Sequence, residues 1–149
     1  MATLDQAVED ILTEIVESIT AETDATGSLS EVVSVVRGDR ARPMPALPAV
    51  WVVPQSAKFV QAEFGEQEEW FMPVSIAALV KDDNPDTGGR LAQSITARAR
   101  AAALNSRPAG VAVIDVRSDT FDPTARSSEQ NRTLFWTEAT IRVTFTVDE

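Results

Sequence analysis

The chain has 149 residues, a net charge of −10 and no cysteine, histidine or tyrosine. A chain of this length with 44% hydrophobic residues suits one globular domain, burying roughly two thirds of its unfolded surface. The composition excludes disulfides, thiolate chemistry, His-containing triads and ordinary zinc sites, and its acidity is a poor fit to tight nonspecific DNA binding, which draws affinity from lysine and arginine.

No apolar run reaches the roughly 18 residues of a membrane span. The opening Met1–Asp5 lacks the basic start and apolar core of a secretory signal. Together with the lack of cysteine this fits an intracellular protein. Any acid/base chemistry would fall to carboxylates, arginines and the lysines Lys58 and Lys81.

From the N-terminus, Leu4, Ala7, Val8, Ile11, Leu12, Ile15, Val16 and Ile19 keep helical spacing and predict a helix over 3–20. Thr3 and Gln6 fit a capping box. The polar face carries Asp5, Glu9, Asp10, Glu14 and Glu17, either a solvated face or an acidic surface kept away from nucleic acid. Residues 21–30 form a connector, and EVVSVVR (31–37) a strand. Arg37–Arg42 follows as a basic loop; its Arg-Gly-Asp letters read as a turn around Gly38.

The segment PMPALPAVWVVPQ (43–55) sets prolines around a β-branched, aromatic run. Proline lacks a backbone donor and sits at sheet edges, so 49–53 is expected to be an edge strand. Residues 55–67 are expected to be irregular. Residues 68–81 form a long strand, with Trp70, Met72, Val74, Ile76, Ala78 and Val80 on one face and a partly covered second face. The turn 82–88 superficially resembles a calcium loop, but its glycine, Pro85 and Gln93 break the required spacing. Asp86 or Thr87 is expected to cap a helix over 89–104, whose stripe of small residues lets it lie close to a sheet. Its Arg90, Arg98 and Arg100 suit solvation, pairing with carboxylates or phosphate contacts. A turn (105–110), a strand (111–117), a long polar loop (118–132) and a strand of clear period two (133–147) complete the chain.

The expected fold is α+β: a mainly antiparallel sheet of about five strands with two helices on one face, in the order α-β-β-β-α-β-β, as one domain over 1–149. No Walker loop, dinucleotide fingerprint or basic-aromatic patch is present. Asp82, Asp83, Asp86, Asp119 and Asp122 could gather round a metal, though such loop carboxylates commonly serve turns and helix starts. Trp51, Trp70 and Trp136 suit core or interface better than a ligand platform.

In order, the amphipathic opening helix and valine strand, LPAVWVVP (47–54), VSIAALVKDDNPD (74–86) running into the Arg-Ala helix, GVAVIDV (110–116) and LFWTEATIRVTFTV (134–147) resemble tail terminator (tail-completion) proteins of long-tailed bacteriophages. The resemblance spans most of the chain and lies in order and texture. It implies a hexameric ring that caps the tail tube, ends tail polymerisation and joins the head connector. It implies no catalytic residue, metal or cofactor. The implied partners are further copies of the chain, the tail tube protein and a head-completion protein, with genome DNA passing through unbound and no membrane contact. The implied location is the virion tail or neck, after assembly in the host cytoplasm.

A ring needs two different patches per subunit. One is expected at Pro48, Val50, Trp51, Val52 and Val53 with Arg40 and Arg42, the prolines stopping the edge from recruiting strands indefinitely. The alternative is an edge strand covered by its own loop. Glu63 and Glu66, or Asp119 and Asp122, are expected to reach the lumen or tube, where acidity repels phosphates. Two other readings stay open: a head-completion or neck connector protein, and a small carboxylate-based enzyme or ligand-binding domain.

Overall fold

In the computed structural model, which describes residues 3–39, 43–62, 67–127 and 133–148, the chain is α+β. Two helices lie on one face of a six-stranded, mostly antiparallel sheet. The elements are α1 (Leu4–Ala21), β1 (Ser34–Arg37), β2 (Ala49–Pro54), β3 (Lys58–Ala62), β4 (Gln67–Lys81), α2 (Pro85–Ala103), β5 (Ala112–Ser127) and β6 (Leu134–Asp148).

The α1 stripe buries Ala7, Ile11, Leu12, Ile15 and Ile19. The expected capping box of Thr3 and Gln6 forms, with the Gln6 side chain accepting from the Thr3 amide at 3.4 Å, and the Thr3 hydroxyl also donates to Asp5. α2 begins four residues earlier than the sequence indicates. Its cap is Asn84, whose side chain accepts from the amides of Asp86 and Thr87, and Pro85 follows where a missing amide costs nothing. Asp86 and Thr87 are thus capped rather than capping.

The sheet order is β1-β2-β4-β6-β5, with β3 pairing β4. β4 and β6 form the centre, antiparallel in unbroken register from Gln67↔Asp148 to Lys81↔Leu134. Met72, Val74, Ile76, Ala78 and Val80 of β4 meet Ile141, Val143, Phe145 and Val147 of β6 in a core closed by both helices. Thr96 of α2 is fully buried there. Its hydroxyl accepts from the Ala78 amide at 3.1 Å and from the Thr137 hydroxyl at 2.7 Å, and donates to the Thr137 carbonyl at 3.2 Å.

Three expectations are corrected. Residues 55–67 are not wholly irregular: β3 continues the line of β2 along β4, with Lys58↔Phe71 and Ala62↔Glu68. The polar loop after 117 is mostly strand, because β5 runs on to Ser127 against β6. The proline-bounded strand is not an edge: β2 lies between β1, parallel to it, and β4, antiparallel to it. Its prolines stand at its ends, where no ladder bond is interrupted, and Pro48 offers its carbonyl to the amides of Val33 and Ser34.

Pro73 sits inside the central strand β4 for a related reason. Its carbonyl accepts from the Gln55 amide at 2.8 Å. In an antiparallel ladder a residue's N–H and C=O point the same way, so the missing donor faces the β2–β3 junction and the bonds to β6 are untouched.

Candidate assembly surfaces

Helices cover one sheet face. Among the described residues no helix or strand covers the other. Alternation along the strands puts Trp51 and Val53 of β2, Phe71, Pro73, Ala77 and Leu79 of β4, and Trp136, Glu138 and Arg142 of β6 on that open face. Leu79 and Ser75 are buried by their neighbours' side chains. Trp51, Phe71 and Trp136 are half-buried. The turn at Gly38 lies against Trp51 and Val53, and a Cβ there would stand 2.5 Å from Val53 Cγ2.

Charge on this face is segregated. At one end the Arg142 guanidinium lies over the Phe71 ring at 4.4 Å, and Lys58 Nζ approaches the same ring at 5.9 Å. Farther along, the Glu138 carboxylate accepts from the Ser75 hydroxyl at 3.2 Å, and the Ser75 hydroxyl accepts from Gln55 at 2.8 Å. Asp122 of β5 stands opposite Glu138. Asp122 is held below the ordinary carboxylate range, chiefly by the Thr124 amide at 2.9 Å, with Arg126 adding at 3.1 Å. Two buried donors on the face, Trp51 Nε1 and Arg142 Nε, have no acceptor.

The sheet has unlike free edges. On one side lie β1 and the exposed β3, with Phe59 and Val60 projecting. On the other lies β5, a long and mostly exposed strand interrupted by three register shifts and carrying Pro123. Bulges, charge and proline are the usual devices against indiscriminate edge pairing. They occur here on β5, whereas the sequence reading placed guarding prolines around 49–53.

Val50 and Val52 are fully buried in the chain's own core. They supply no apolar surface to a neighbour, because alternation aims them at the helices. Trp51 and Val53 face the open side, and Pro48 is half-buried at the start of β2. The expectations for Arg40, Arg42, Glu63 and Glu66 lie outside the described residues. Asp119 and Asp122 come from one strand, with Asp119 beside a depression of about 350 Å3 lined by Ala97, Arg100, Ser118, Thr120 and Phe121. The Arg100 guanidinium donates to Ser118 Oγ at 2.5 Å, and Arg98 pairs with Glu31 at 2.7 Å. Among the described residues, no three carboxylates gather closely enough to hold a metal ion.

Sequence reasoning missed Lys58, Phe71, Glu138 and Arg142 as a shared surface. The available signal was the second face of 68–81 and of 133–147, where aromatic residues alternate in step with the core positions.

No protein-family model and no curated protein matches the chain. Among solved structures, a chain of the "Virion of native gene transfer agent (GTA) particle" shares its fold. The TM-score is 0.60 and the identity 11%, over 99% of this chain and 100% of the other.

Proposed function

We propose that this chain is a structural protein of a phage-like virion: the tail terminator, a hexameric ring that caps the tail tube and joins it to the head connector. The observation that carries the reading is the end-to-end fold likeness to a chain of a gene transfer agent virion, which leaves almost nothing unmatched on either side. The unlike free edges of the sheet support it, since a closed ring is built from heterologous contacts between two different patches. On this reading the protein turns over no substrate. Its partners are its own copies, the tube protein and a head-completion protein. It assembles in the host cytoplasm, and DNA slides through an acidic hole without being held.

Gene deletion followed by electron microscopy of the particles is the test. A terminator's loss gives overlong tails. Normal-length tails lying beside free heads would replace this reading with a neck connector.

A further inference from the structure

We infer that the open sheet face of each subunit is covered by the α1 helix of the next copy; this rests on the ring reading and names its two patches. The subunit is a two-layer unit with a bare sheet face on one side and α1 on the other. A sheet with apolar residues on both faces is satisfied when both are covered. The bare face presents Trp51, Phe71 and Trp136.

Charge decides the occupant. Among the described residues, Lys58 and Arg142 have no carboxylate partner, in a chain with 23 acidic and 13 basic residues. Trp51 Nε1 and Arg142 Nε are buried donors still lacking an acceptor. The face therefore lacks acceptors for Lys58 and Arg142 at its cationic end, and Trp51, level with Glu138 through Ala77, lacks one farther along. The outward side of α1 supplies them: Asp10, Glu14 and Glu17 have no cation partner among the described residues, and Glu9 already engages Arg37 at 2.8 Å. The two surfaces belong to opposite sides of one subunit, so the contact propagates head to tail, and a rotation at each step closes it into a ring. Glu138 lies on the same face and sets the register, since carboxylates of the incoming helix must avoid it.

The test uses two charge variants of the full chain. The sheet variant is Lys58→Glu with Arg142→Gln; the helix variant is Asp10→Arg with Glu17→Arg. Alone, each should weaken self-assembly at least tenfold in analytical ultracentrifugation. Mixed in equal amounts they should restore rings, because every alternating interface again joins opposite charges. Thermal melts check folding, and the single changes Lys58→Glu and Glu17→Arg, both at exposed sites, replace any variant that melts early. A helix variant that assembles like wild type overturns the inference and leaves the ring standing, built through other patches. Failure of the mixture to assemble also overturns the inference. A wild-type chain that stays monomeric up to millimolar concentration overturns the inference, whereas the ring reading, which also allows a ring formed only on the tube, stands or falls with the deletion experiment.

Discussion

The Thr96 hydroxyl holds α2 to both central strands through three hydrogen bonds with no exposure to water. Thr96→Val keeps the volume but leaves the Ala78 amide and the Thr137 hydroxyl buried and unpaired. Each such orphaned group costs about 1–3 kcal/mol, so the variant should melt several degrees lower, and a melt matching wild type would show that relaxation re-pairs them. Gly88, one turn into α2, poses the opposite problem. An added Cβ would lie 2.5 Å from the Phe135 ring and 3.1 Å from Asp82 Cβ. Gly→Ala gains about 1 kcal/mol of helix propensity, whereas overpacking a tight core costs about 1–3 kcal/mol. Phe135 is itself buried and has little room to retreat. Gly88→Ala should therefore destabilise on balance, read as a lower denaturation midpoint at unchanged slope.

At the scale of elements, α2 depends on its cap. Asn84→Ala removes the acceptor for the amides of Asp86 and Thr87 and should cost about 1 kcal/mol in chemical denaturation. On β5, the bond from the Thr124 amide to Asp122 and the Arg126 partner sit within the register shift between Asp122 and Arg126. Because this carboxyl is lowered in the fold, its contribution is present above the ordinary carboxylate pKa. That contribution is lost as pH falls through the lowered value. Asp122→Asn should flatten this part of the acid limb of the stability curve; an unchanged limb would show that the turn does not sense the charge. These local bonds also explain what the sequence reveals and what it hides. α1 and β6 are legible because each buries one continuous face, giving unbroken periods of 3.6 and 2. The second half of β5 is exposed and its bulges break the alternation, so only pairing with β6 identifies it as a strand. β3 is exposed along its whole length and takes its form from β4. That β2 is interior is hidden for another reason: its parallel neighbour β1 is supplied by a separate segment, and prolines at strand ends read like prolines at an edge. The candidate surface was partly legible in Trp51 and Val53, whereas the grouping of Lys58, Phe71, Glu138 and Arg142 depends on the register of three strands.

For the whole molecule, charge has to be reconciled with the passage of DNA. Each subunit contributes −10 to the proposed ring, and duplex DNA carries a charge about every 1.7 Å of its axis. Across a narrow hole, opposed surfaces lie within a Debye length, about 10 Å at 0.1 M salt and 3 Å at 1 M. Carboxylates on the lumen wall therefore repel the duplex at low salt and become nearly silent at high salt. If Glu63, Glu66 and Asp119 line that wall, neutralising them as Glu63→Gln, Glu66→Gln and Asp119→Asn removes local repulsion while leaving the ring's arginines in place. Fluorescence anisotropy with a labelled duplex should then detect retention by the variant ring at 0.05 M salt, with none by wild type, and the difference should vanish by 1 M. DNA release from particles carrying the variant should slow under the same low-salt conditions. Equal anisotropy and equal release for the two rings at low salt would place these carboxylates away from the DNA path, on a surface facing the tube or the head.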